Sequence, residues 1–214
     1  MACTFALENA LRREGFARIA GVDESGRGPL AGPVVVAAVV LPPRWPRGVR
    51  LDDSKRLGEE ARLAAFAAVR RTALCWRVRV IPHGMIDRLN ILGATLYGMA
   101  EAVARLQPAA DYVLVDGNRT PVLPMPCRAV VDGDAQCRSI AAASVLAKVV
   151  RDRLMAVYDR RYPGWGFAGH KGYATAAHRE AVQRLGLSPI HRRSFTFRDD
   201  AWQTVLALEL DESP

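Results

Sequence analysis

Apolar positions in this chain fall into short runs and longer helical periodicities. Residues 18–23 form a brief apolar run, and Gly32-Pro33 opens a second, VVVAAVVLP. β-Branched valines between prolines favour a strand over a helix. Two strands are therefore predicted, joined through SGRGPLAG, with Asp23 and Glu24 at the end of the first. Residues 42–58 are rich in Pro, Gly and charge and read as a loop. From Glu59 to Arg71, Leu63, Phe66 and Val69 or Arg70 carry helical spacing. CWRVRVIP alternates Trp76, Val78 and Val80 with Arg77 and Arg79, the pattern of a half-exposed strand. A long helix is marked from Leu89 by Leu92, Leu96, Met99, Val103 and Leu106, and Pro108 stops it. DYVLVDGN follows that helix as a buried parallel strand ending in Asp116-Gly117. CRAVVDGD is a further strand, delivering Asp134 to the start of a helix that carries Ile140, Ser144, Ala147 and Leu154. A last helix is expected near 175–186.

Strands first, then strand–helix alternation, predict an α/β fold with a mixed central sheet flanked by helices. At 214 residues, with no repeat or linker, the chain is expected to be a single domain and a monomer. No apolar run reaches the roughly 20 residues of a membrane span. The start, MACTFALENALRREG, lacks the features of a signal peptide, so a cytoplasmic protein is expected. Cys3, Cys75, Cys127 and Cys137 are scattered without metal-ligand spacing and read as free thiols. A formal net charge of +8 favours a polyanionic partner such as nucleic acid.

In α/β sheets, ligands gather beyond the carboxyl ends of parallel strands. Asp23, Glu24 and Asp116 all fall at such ends, and Asp134 follows one. Hard cations such as Mg²⁺ need only a few carboxylate oxygens and keep several waters. Carboxylates crowded into one pocket would otherwise repel each other. A two-metal site suits in-line displacement at phosphorus, one ion activating the attacking water and the other stabilising the leaving oxygen. GRGPLAG is not a dinucleotide fingerprint, because Pro29, Pro33 and the valines prevent the helix that motif requires. Its bare backbone instead suits close approach to a sugar hydroxyl, and the 2′-hydroxyl is what separates RNA from DNA.

GVDESGRGPLAGPV, DDSKRL, YVLVDGN, VVDGDAQCRSIAAASVLAKVVRDR and HKGYAT, in this order, closely resemble bacterial ribonuclease HII over about residues 18–198. The resemblance implies a ribonuclease H-like fold with a catalytic core of about residues 18–160 and a C-terminal helical extension that binds substrate. It also implies metal-dependent cleavage of RNA in RNA–DNA hybrids and incision on the 5′ side of single ribonucleotides in duplex DNA, leaving a 3′-hydroxyl. Asp23, Glu24, Asp116 and Asp134 match the family's catalytic acids, which hold Mg²⁺ or Mn²⁺, two ions during catalysis. Gly26, Arg27 and Gly28 match the loop that reads the 2′-hydroxyl. Tyr173 matches a tyrosine that stacks on the sugar of the following deoxynucleotide. Ser54, Lys55, Lys148 and Arg151 are candidates for gripping phosphates, contacts that position a duplex without reading its sequence. His170, Lys171 and HRRSF at 191–195 have the basic and aromatic mixture of a nucleic-acid surface.

Asp132 departs from the family, which commonly has a non-acidic residue there, and either alters metal affinity or points outward. Ala174 stands where proline is frequent. Arg27, and only about 17 residues before the first strand, favour this reading over ribonuclease HIII. Intact acids at all four positions disfavour an inactive hybrid-binding protein. GRG and HKGY disfavour another nuclease or recombinase of the same fold. The tail LALELDESP shows no partner motif.

Overall fold

A computed structural model of the chain describes residues 3–195, so the tail lies outside the described residues. Its centre is a five-stranded sheet of β1 (Ile19–Ser25), β2 (Val34–Val40), β3 (Cys75–Ile81), β4 (Tyr112–Asp116) and β5 (Cys127–Val130). The spatial order is β3-β2-β1-β4-β5. β2 runs antiparallel to β1 and β3, whereas β4 runs parallel to β1 and β5. The mixed sheet expected from the sequence is present.

Helices cover both faces. Val35, Ala37 and Val39 of β2 pack toward α2 (Glu59–Thr72) and α5 (Arg138–Arg161). Val34, Val36, Ala38 and Val40 pack on the other face, toward α3 (His83–Ala104). A strand buried on both sides has no solvent face, which explains the unbroken VVVAAVV run. α5 comes very close to β1 at Gly21. A Cβ there would lie 2.1 Å from the Ser139 carbonyl carbon, so only glycine admits the helix at this distance.

Two helices differ from expectation. α3 begins at His83 rather than Leu89, and it is broken at Asn90, whose φ is 55°. The Asn90 side chain accepts hydrogen bonds from Leu92 and Gly93 N–H, both at 3.0 Å, and so caps the second segment. The helix read from Leu89 corresponds to that second segment. The helix after Asp134 is also split, into α4 (Gly133–Gln136) and α5, with Cys137 extended between them. Residues near the N-terminus hold this break. Thr4 bonds to Gln136 and Arg138 through the backbone. Glu8, buried on α1 (Ala6–Arg13), accepts the Ser139 N–H at 2.9 Å.

After α5 come α6 (Phe167–His170) and α7 (Ala176–Leu185), the latter capped by Thr175 accepting from His178 N–H. Residues 188–195 then turn back onto the β1–β2 connection, where Ala31 and His191 form an antiparallel bridge. No helix among the described residues is long and apolar enough to cross a membrane. All four cysteines are free, and only Cys127 is not fully buried.

Candidate active site and nucleic-acid interface

Val22 of β1 lies opposite Val115 of the parallel β4, so Asp23 and Asp116 emerge side by side at the sheet's carboxyl edge. Successive strand residues point to opposite faces. Asp23 therefore shares the α5 face with Ile19 and Gly21, and Glu24 turns toward α3. Asp134 arrives on α4, which is locked to the sheet through Asp116. One Asp116 carboxylate oxygen accepts Gly133 N–H at 2.8 Å and Asp134 N–H at 3.3 Å. All four acids line a single pocket of about 270 Å³.

The pocket crowds negative charge. Burial raises Asp23 well above the usual carboxylate range, and Glu24 and Asp116 add to it, opposed by hydrogen bonds from Ser144 and the Glu24 N–H. Glu24 is raised by burial, though the Arg27 guanidinium, 3.3 Å from its carboxylate, works the other way. Asp116 is raised by burial against its two backbone hydrogen bonds. Asp134 is pushed up to about 6 by burial, then by Asp116 and Asp53. Burial disfavours the Lys55 ammonium, but Asp53, Asp134 and Asp23 outweigh it and hold its pKa above the ordinary lysine value.

Carboxylates only, each held against its charged form, are donors that could accept a hard cation. Among the described residues, no three acidic, histidine or cysteine side chains come close enough together to hold an ion between them as they stand. The acids surround the pocket rather than closing on one point, which suits an ion that retains waters.

The same pocket is lined by Gly26, Arg27, Gly28 and Tyr173, and by Ser54, Lys55 and Lys148. Arg27, Gly28 and Tyr173 are exposed at its rim. A Cβ on Gly28 would lie 3.8 Å from the Tyr173 ring, so backbone and aromatic face one another. Ser54 is buried in the wall and accepts a hydrogen bond from Ser144 at 2.9 Å. Lys148 is half-buried and paired with Asp152 at 2.8 Å.

Arg151 is a correction to the sequence reading. Its side chain is fully buried and does not reach the pocket. It donates to the carbonyl oxygens of Pro33 at 3.0 Å and Lys171 at 3.0 Å, and its guanidinium lies 5.8 Å from the Tyr173 ring centre. It shares a helical face with Lys148 only approximately, and the difference sends one inward. The HRRSF stretch is corrected in part as well, since His191 and Arg192 are buried. His191 packs against His178, with ring nitrogens 3.0 Å apart. Arg192 spans to the β1–β2 connection. Asp132 is exposed, with φ of 51°, and does not line the pocket.

Two contributors, Asp53 and Ser144, were not singled out from sequence, and a third, Arg192, was read there only as part of a nucleic-acid surface. Asp53, the residue before Ser54, stands beside Asp134. Ser144 lines the pocket from α5. Arg192 stabilises the glycine loop from within. Asp53 had a visible signal in DDSK; a buried arginine in a basic stretch has none.

A sequence model of the ribonuclease HII family matches residues 20–198. Ribonuclease HII of Syntrophotalea carbinolica is 54% identical over 188 residues, covering 88% of this chain and 90% of that protein. Among solved structures, ribonuclease H2 from Pyrococcus horikoshii OT3 superposes with a TM-score of 0.72 at 22% identity, over 92% of this chain and 100% of that one. Bst-RNase HIII, crystallised in complex with Mn²⁺, superposes with a TM-score of 0.67 at 21% identity, over 93% of this chain and 72% of that one. At such identity these two structures establish the ribonuclease H-like fold, while the sequence match goes further: the chain belongs to the ribonuclease HII family and is a ribonuclease H-type endonuclease.

Proposed function

We propose that this enzyme cleaves the RNA strand of RNA–DNA hybrids and incises duplex DNA on the 5′ side of single embedded ribonucleotides. The products are a 3′-hydroxyl and a 5′-phosphate, and the setting is the cytoplasm. The observation that carries the reading is the convergence of Asp23, Glu24, Asp116 and Asp134 with the Gly26–Gly28 backbone around one pocket.

The four acids would hold Mg²⁺ or Mn²⁺, two ions during catalysis. Such ions, when bound, stabilise the charge that develops on the attacking and leaving oxygens of an in-line displacement. The Asp116 carboxylate accepts the Asp134 N–H, which holds the two acids beside each other. Gly26, Arg27 and Gly28 present backbone to the ribose, and a 2′-hydroxyl is what they select. Tyr173, exposed beside Gly28, offers its ring face to the next sugar and so favours an RNA-to-DNA junction. Lys55, Ser54 and Lys148 grip the backbone phosphates, which fixes register without reading bases.

The test uses end-labelled duplex DNA carrying one ribonucleotide, an all-DNA duplex of the same sequence, and an RNA–DNA hybrid, each with Mg²⁺, Mn²⁺ or chelator. Metal-dependent nicking 5′ of the ribonucleotide, with no cut in all-DNA, is the expected result. Equal cutting of all-DNA, or undiminished cutting in chelator, overturns the reading.

A further inference from the structure

The recognition loop is not held by the sheet. Residues 26–33 leave β1 and make a wide excursion before β2; Arg151 supports the later part through Pro33, and a buried guanidinium from the last described turn supports the glycine segment. Arg192 is 1% exposed. It donates from Nη2 to the Gly26 carbonyl at 2.5 Å, from Nη1 to the Arg27 carbonyl at 2.8 Å, and from Nε to the Gly32 carbonyl at 2.9 Å. Its own N–H donates to Leu30 O at 2.8 Å. On the other side, Leu30 N–H bonds Gly172 O at 2.9 Å, which joins the loop to the segment bearing Tyr173.

The orientation of those bonds has a chemical consequence. In a trans peptide the carbonyl and the following N–H point in opposite directions. The Gly26 and Arg27 carbonyls are turned inward to Arg192, so the N–H groups of Arg27 and Gly28 are turned away from it, and both residues line the pocket. A charged donor on each carbonyl also polarises the peptide and strengthens the N–H on its far side.

We infer that Arg192 is a positioning residue for ribose selection. It fixes Gly26–Arg27–Gly28 with carbonyls inward and amides outward, so that the loop reads the 2′-oxygen as a hydrogen-bond acceptor, through donors alone. This rests on the reading of that loop as the ribose contact, and it adds which backbone groups do the reading and what aims them. Gly26 is required for the same arrangement. Its φ is +100°, and a Cβ there would lie 2.8 Å from Pro33 O and 2.0 Å from Arg151 Nε.

Two measurements test it. The first compares binding of one-ribonucleotide duplex and all-DNA duplex by wild type and by Arg192→Lys and Arg192→Gln, each in an Asp134→Asn background that prevents cutting. Lysine keeps the charge but cannot reach three carbonyls at once. Losing charge-assisted bonds to two recognition peptides predicts about a tenfold fall in the ribonucleotide-to-DNA affinity ratio for Lys and a larger fall for Gln. Affinity for all-DNA stays unchanged. A merely structural arginine would lower the folded fraction but leave the ratio per folded molecule intact, and an intact ratio in Arg192→Lys overturns the inference.

The second needs no variant. Hydrogen exchange on wild-type protein should show the Arg27 and Gly28 amides exchanging freely without substrate. They should become protected by the one-ribonucleotide duplex but not by all-DNA. Amides already protected in the free protein would overturn the inference. If wild type shows no preference for the ribonucleotide duplex, it is the reading of the loop that has failed rather than the role of Arg192.

Discussion

Asp134→Asn is expected to kill the enzyme and, without metal, to stabilise it. The reason lies in the charge that the site concentrates. Asp134 is raised from 3.8 to about 6, chiefly by burial and then by Asp116 and Asp53. For an acid whose folded pKa lies above its unfolded value, the native state binds the extra proton. Stability therefore falls as pH rises from about 4 to about 6 and stays lower above that range. Two pKa units at 1.36 kcal/mol each set a ceiling of about 3 kcal/mol. Asp134 is only partly buried, and solvent screening brings this to about 1–2 kcal/mol. Asparagine keeps the shape and removes the charge. In a domain of this size each kcal/mol moves Tm by roughly 2–4 °C, so Asp134→Asn should melt roughly 2–8 °C higher than wild type in chelator at pH 7.5. The difference should shrink toward zero at pH 4. Saturating Mg²⁺ should reverse the order, because wild type gains about 2.7 kcal/mol at a hundredfold excess over Kd and the variant gains less. Thermal melts by circular dichroism across pH 4–8, with and without Mg²⁺, supply every quantity. An unchanged or lower Tm for the variant in chelator, at all pH values, would refute the idea that the acids are crowded against their own repulsion.

Other perturbations separate the parts of the site. Asp116→Asn should reduce single-turnover cleavage by about a thousandfold, because it weakens both ion binding and the hold on α4; a rate within tenfold of wild type would remove Asp116 from the mechanism. Gly26→Ala places a side chain at φ of +100° against Pro33 and Arg151, and should cost about 2 kcal/mol or more while erasing preference for the ribonucleotide duplex, read by melting and competition binding. Lys148→Ala should make the salt dependence of substrate binding shallower by about one phosphate contact and barely change Tm. Arg151→Met should do the opposite, leaving the salt slope alone and costing about 3 kcal/mol as the Pro33 and Lys171 carbonyls lose their donor. A salt slope altered by Arg151→Met would restore that residue to the substrate surface.

The pattern of apolar positions was enough to place all five strands, because each is bounded by turn residues and the central one is buried on both faces. Helix boundaries were less legible. The segment capped by Asn90 was read from Leu89, but the turn that precedes it from His83 was missed, and Cys137 is held extended by Thr4, more than a hundred residues away in sequence. The break at Cys137 leaves no local trace. The acids stood out for a physical reason, since strand-terminal carboxylates have no role in a core. Arg151 and Arg192 were misread because composition cannot say whether a guanidinium faces solvent or a set of carbonyl oxygens. Only the long-range fold decides that, through residues such as Pro33 and Gly26 that lie far away in sequence.

The proposed mechanism requires four carboxylates from three segments of the chain to share divalent ions at one scissile phosphate. A crystal of the protein grown with Mn²⁺ and a non-cleavable one-ribonucleotide duplex, with anomalous data collected at the manganese edge, tests it directly. Manganese peaks are expected within about 2.5 Å of carboxylate oxygens from Asp23, Glu24, Asp116 and Asp134, with the phosphate 5′ of the ribonucleotide at the same site. Manganese bound elsewhere, or a ribonucleotide phosphate seated away from these acids, would contradict it.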